Sequence, residues 1–284
     1  MHAKFPQPQV MQTAEREKAI QEYLETGKTD ACYPAWGGSV FRGSQEGAKE
    51  VRGALVAAVK QKSAGAGVGM MAAPMMKPEV LRDKLRPMIN GLFPQNEREI
   101  VLEAIANDVV ILTSDNVDQI LLAESCSSTA WHLANLYLAS IGSKPLHEDA
   151  SCALGMNVGT TSYVSMKYFT ETDRFANYIV HEAAHAFHNC KRTLLGLRET
   201  RSREFLLNID FCERETFAYA CEVYSRVLKL GKTSAARIAL AQEAIVDFVP
   251  PDEKVNMAKF HTALEAAARA RNGWKKILQV CYSG

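Results

Sequence analysis

Two histidines four residues apart with a glutamate between them, His181-Glu182-Ala183-Ala184-His185, are the residues of this chain whose types and spacing best suit metal chemistry. Residues four apart on an α-helix lie on one face about one turn apart, so both imidazoles can address a single cation. Zinc takes neutral imidazole readily, and a catalytic zinc site has three protein ligands and a place for water. A glutamate next to the first histidine can accept a proton from that water. The expected chemistry is therefore hydrolysis by a metal-activated water, with His181 and His185 as ligands and Glu182 as general base.

A helical wheel over residues 175–190 separates two faces. His185, His188 and Tyr178 fall within about 60° of His181, while Phe175, Ile179, Ala183, Ala186, Phe187 and Cys190 gather on the opposite side. Histidines opposite the apolar stripe are placed as ligands facing a cleft, with the packed side of the helix behind them.

The third ligand has to come from elsewhere. No His-x-x-Gly-x-x-His continuation follows the motif, since position 191 is Lys and the next glycine is Gly196. The helical pattern from Phe211 to Arg226 offers Glu213, Glu215 and Glu222. With Glu215 at zero on the wheel, Phe217, Ala220, Cys221, Tyr224 and Val227 form the apolar back, Glu213 falls among them, and Tyr219 and Glu222 share the face of Glu215. Glu215 is the expected ligand and Glu222 the alternative.

At this point the residues resemble the gluzincin branch of the zincin metallopeptidases: His-Glu-x-x-His, then a glutamate about thirty residues later on a second helix, with Ala218 completing an E-x-x-A pattern. The likeness covers residues 158–228. It implies zinc held by His181, His185 and Glu215, with Glu182 taking a proton from water and passing it to the leaving amine. Thermolysin-like gluzincins have Asp four residues after the ligand glutamate, where this chain has Tyr219. The group that orients the first histidine is then Tyr219 or Glu222, and Tyr219, His188 and Tyr163 are candidates to stabilise an oxyanion.

The elements that must position these groups follow from periodicity and breakers. Helices are expected over 13–26, 48–62, 79–92, 95–107, 117–141, 233–248 and 253–271, with Pro250-Pro251 between the last two. Residues 108–113 read as a buried strand, and 158–169, rich in β-branched and aromatic residues, as a strand leading into the motif helix with Thr172 or Asp173 as N-cap. Such a strand, if at a sheet edge, can bind an extended peptide by strand addition. The fold class is α+β: a mostly helical zincin-like domain with a small mixed sheet before the motif helix. Residues 63–78, with three Gly, two Pro and four Met, read as a flexible connector, dividing an N-terminal helical extension (1–78) from the metallopeptidase domain (79–284). Trp36, in a turn-rich stretch, reads as a core residue. The five positive charges from Lys191 to Arg203 read as a solvated loop partly balanced by Glu199 and Glu204, or as a means of steering an acidic substrate.

Composition limits the rest. A net charge of +1 with 47% apolar and 23% charged residues gives no global pull toward nucleic acid or anionic membrane. Seven scattered cysteines without a C-x-x-C pair read as reduced thiols. With no signal-peptide core and no span-length apolar run, the expectation is a cytoplasmic protein, with secretion by a signal-independent system as the other route. The expected activity is a zinc metallopeptidase acting on a peptide or protein. The competing expectation is a zincin-like binding or regulatory module with a non-catalytic metal site.

Overall fold

The computed structural model describes residues 13–64, 78–148, 155–167 and 172–282. The connector expected at 63–78 falls almost wholly outside them. The fold is α+β and mostly helical, with a single small mixed sheet among the described residues.

Two compact units divide the chain, and each takes two separate stretches: Met1–Ala73 with Leu112–Ala153, and Pro74–Ile111 with Leu154–Gly284. A single cut near residue 78 does not describe this, because the helices between 112 and 153 join the N-terminal unit.

In the first unit, α1 (Thr13–Thr26) and α2 (Val40–Ser63) pack with α5 (Val117–Ala123) and α6 (Ser127–Ser140). Val51, Leu55, Val59, Leu121, Ala130 and Leu133 are buried there. Polar groups at the helix ends are tied in: the Tyr23 hydroxyl donates to Ser127 O at 2.7 Å and the Trp131 indole to Leu24 O at 2.8 Å. Trp36 is buried, as a core residue. The helix expected over 117–141 is two helices, broken at Glu124–Cys126, where the Glu124 carboxylate accepts the Cys126 amide.

The second unit contains α3 (Pro78–Leu92), α4 (Arg98–Asn107), β1 (Val109–Ile111), β2 (Gly155–Val158), β3 (Thr161–Val164) and the helices α7 (Tyr178–Asn189), α8 (Arg214–Leu230), α9 (Ser234–Asp247), α10 (Met257–Arg269) and α11 (Gly273–Cys281). The strand expected over 158–169 is instead a hairpin. Val158 pairs with Thr161 across Gly159-Thr160, and Gly159 takes φ 61°, a left-handed conformation that glycine adopts without strain. In the sheet, β3 is central, parallel to β1 and antiparallel to β2, so β2 is an edge. The β1 strand is half-buried, where a buried one was expected. The α7 helix lies against β2, β3, α3 and α8. Its Ala183, Ala184 and Ala186 allow close approach, and Phe187 meets Phe93 edge-on at 5.2 Å. The C-terminal α11 docks through Trp274, Ile277 and Cys281, with Trp274 edge-on to Tyr224.

The loop from α7 to α8 is not merely solvated. Arg192 is buried and forks onto Glu97, Nη2 to Oε1 at 2.6 Å and Nη1 to Oε2 at 3.2 Å, while its Nε donates to Arg198 O. Lys191 pairs with Glu204, and Arg203 lies 3.6 Å from Glu97.

The six described cysteines are all unpaired. Cys190, Cys221 and Cys281 are buried with thiols raised by desolvation, Cys281 to about 12. Cys126, exposed at the start of α6, is lowered by hydrogen bonds from the Thr129 side chain and the Thr129 and Ser128 amides. Since the thiolate is the reacting form, native protein treated with an aromatic disulfide at neutral pH is expected to label Cys126 first and Cys32 and Cys212 more slowly. Cys190, Cys221 and Cys281 should label only after denaturation. Peptide mapping by mass spectrometry reads the order, and early labelling of Cys221 would refute the packing described.

Candidate metal centre

Two helices carry the site, and their starts are built for it. A 3-10 turn, Phe211–Glu213, capped by Asp210 accepting the Cys212 amide, leads into α8 and places Glu215 in its first turn, where the helix dipole favours a carboxylate. Two turns on, Glu222 points the same way and is fully buried. Its carboxylate does two things. Oε1 accepts the backbone amide of Asn177, the N-cap of α7, at 2.6 Å, and Oε2 accepts from His181 Nδ1 at 3.1 Å. The N-cap is thus Asn177 rather than Thr172 or Asp173; Asp173 instead caps the preceding turn, accepting from the Phe175 amide.

With Nδ1 turned to Glu222, His181 aims Nε2 at His185 and Glu215, and a metal bound there would displace any proton on that nitrogen. That atom lies 3.1 Å from His185 Nε2 and 3.9 Å from Glu215 Oε2, and His185 Nε2 lies 3.4 Å from the same oxygen. Two ring nitrogens and a carboxylate oxygen therefore face one point. A tetrahedral zinc with bonds of about 2.0–2.1 Å separates its ligands by about 3.3 Å, so the observed spacings fit that donor set. Zinc would be held by His181, His185 and Glu215. Glu222 stands behind His181 and outside the triad, in the position of a second-layer carboxylate that sets the tautomer of a ligand histidine.

The electrostatics follow. Burial works against charge on His181, but the hydrogen bond and charge of Glu222, with Glu182 and Glu215 nearby, raise it to about 9. Burial also pushes Glu215 up, yet the His185 hydrogen bond and the charges of His185, His181 and Lys254 bring it down to about 2. Glu182 is raised, chiefly by burial, against the pull of both histidines. A carboxyl with a raised pKa is a better base near neutral pH.

Glu182 is held by its neighbour on the sheet edge. A methyl group at residue 155 would overlap the Glu182 carboxylate, so Gly155, the first residue of β2, leaves the room in which the carboxylate sits. The edge strand and the base are thereby in contact.

The histidine side of α7, expected to face an open cleft, is largely covered: His181, Glu182 and His188 are buried and His185 is half-buried. The cover is α8, whose Tyr219 ring stands edge-on to His181 at 4.3 Å and whose phenol is raised by burial. His188 stacks edge-on to His185 at 5.3 Å and is brought down to about 3, first by burial and then by the His185 and Arg214 charges. Tyr163 stands in β3 opposite Met156. Gly155 and Lys254 were not singled out from sequence. Only the glycine at the head of a β-rich run carried a signal, and it does not name what it makes room for.

No family model, no curated protein and no solved structure matches the chain.

Proposed function

We propose that the chain is a zinc-dependent metallopeptidase of gluzincin type, and the observation that carries this is the convergence of His181 Nε2, His185 Nε2 and Glu215 Oε2 beside a buried glutamate. Held by His181, His185 and Glu215, a zinc ion would supply Lewis acidity toward a substrate carbonyl and a lowered pKa for water. The chain supplies the remainder. Glu182 takes one proton from the attacking water as its oxygen adds to the amide carbon, and returns it to the nitrogen as the C–N bond breaks. Glu222 keeps His181 in the ligating tautomer, and Gly155 keeps the base beside the strand edge. An extended peptide pairing with the side of β2 that no described strand occupies would pass the base with its backbone fixed, which favours peptide over other amide substrates. We place the activity in the cytoplasm, in keeping with the six described cysteines, all of them unpaired.

The test begins with metal. Protein purified without added zinc is expected to carry about one zinc per chain by mass spectrometry, and His181→Ala, His185→Ala and Glu215→Ala to lose it. Wild type loaded with zinc is expected to cut members of a broad peptide library. Undiminished zinc in all three variants would remove the site. Stoichiometric zinc without cleavage, in the library or in host extract, would replace the peptidase by a binding module.

A further inference from the structure

A cavity of about 420 Å³ lies within the first unit and includes none of the residues of the metal centre. Its size is that of a small-molecule site. The wall is held in place without a ligand. Tyr33 is the one described residue other than glycine with a positive φ (45°), a conformation that an aromatic residue keeps only where its surroundings impose it. Its hydroxyl hydrogen-bonds Ser127 Oγ at 2.8 Å and Thr29 Oγ1 at 3.3 Å, and a methyl group at Gly47 would overlap its ring. Trp36 meets that ring edge-on at 5.6 Å, and the residue before it is gripped by Arg16, whose Nε donates to Ala35 O at 3.2 Å. One group in this wall is left unsatisfied: Trp36 is 5% exposed, and its buried indole N–H has no acceptor among the described residues. Buried donors are rarely left so. Glu22 and Lys28 also line the cavity, one charge of each sign, and neither has an ion-pair partner among the described residues. The nearby pair, Arg16–Glu50, uses neither. Asp30 lines the cavity too, but its Oδ1 accepts the Cys32 amide at 2.8 Å.

We propose that this cavity binds a small zwitterion, an amino acid or a dipeptide, with its ammonium at Glu22 and its carboxylate shared by Lys28 and the Trp36 N–H. The occupant has to bring an acceptor to the indole, and a carboxylate is the acceptor that also answers an ammonium. A cation alone would leave Lys28 and the indole without a partner, an anion alone would leave Glu22, and an uncharged molecule would leave both charges. The apolar part of the ligand rests on Ala19 and Val51. This site is independent of the metal centre and of the reaction proposed there.

The experiment is a calorimetric titration of the full-length protein with the standard amino acids and with the dipeptides Gly-Gly, Ala-Ala and Leu-Leu. The tightest binder is then compared with its N-acetyl and its amide derivatives, each lacking one charge. Each derivative is expected to bind about fivefold more weakly, the loss of an exposed charge pair. Glu22→Gln should abolish the discrimination against the N-acetyl compound, and Lys28→Met the discrimination against the amide. Trp36→Phe, which removes the N–H, should weaken the free ligand about tenfold. Ala19→Leu narrows the cavity and leaves every charge in place, so it should abolish binding with the circular dichroism unchanged, and it keeps the test open if Trp36→Phe does not fold. Tighter binding of an amino acid than of any dipeptide identifies a free amino acid as the occupant, and the reverse order a peptide fragment. No saturable binding of any of these compounds, equal binding of the free ligand and its derivatives, or binding unchanged in Ala19→Leu overturns the proposal.

Discussion

Glu182→Gln is expected to keep one zinc per chain and to cleave peptide at least a hundredfold more slowly than wild type. The substitution replaces one carboxylate oxygen by an amide nitrogen of similar size, so the space left by Gly155 still holds it and the triad is untouched. What is lost is the proton acceptor, and general-base assistance contributes about 10²–10⁴-fold. Stability should not fall. A buried carboxyl whose pKa is raised in the fold is penalised when ionised, at pH above its unfolded value, and the neutral amide relieves that penalty. With metal removed from both proteins, the variant should therefore unfold at or above the wild-type temperature at pH 8. Cleavage at the wild-type rate with zinc retained would show that another group takes the proton.

Arg192→Ala is expected to cost about 3–5 kcal/mol of unfolding free energy, the penalty for leaving one partner of a buried pair alone. Among the described residues Glu97 would keep only Arg203, at 3.6 Å and partly exposed, in place of a two-pronged guanidinium contact. The Arg198 carbonyl would also lose its donor. Urea titration followed by circular dichroism measures the effect. Replacing both partners, as Glu97→Gln with Arg192→Met, should recover much of it, because neither charge is then stranded. The control is Arg86–Glu99, a pair on the surface whose removal should cost no more than about 1 kcal/mol. A loss for Arg192→Ala as small as for that control would refute the buried-pair account.

The contrast between these two sites shows what a one-dimensional reading can reach. The His181, His185 and Glu215 faces were legible because each is decided within its own helix, by a spacing of four or a choice among three glutamates. Glu222 was placed on the right face, but its task, gripping the start of α7 and His181 together, exists only once α8 crosses α7. The same crossing moved the N-cap to Asn177. Arg192 looked like one of five loop cations because its partner Glu97 stands 95 residues earlier. The alternating pattern over 158–169 ran through a turn that one glycine makes, and the break at Glu124–Cys126 is made by a single carboxylate–amide hydrogen bond with no proline or glycine to mark it. The division of the chain into units escaped for a related reason: α6 is buried on nearly every side, from Leu133 to Leu138 without a break, and nothing local says that α5 and α6 pack on α2.

That interleaving bears on how the chain is made. The β1 strand leaves the ribosome without its parallel partner β3, which follows roughly fifty residues later. At about 5–20 residues per second, this edge waits roughly 3–10 s while the intervening helices complete the other unit. For that interval the apolar face of α3 has neither the motif helix nor α11 to cover it. A chaperone that recognises nascent apolar segments would have its longest opportunity there, and a rare-codon cluster between 112 and 153 would lengthen it.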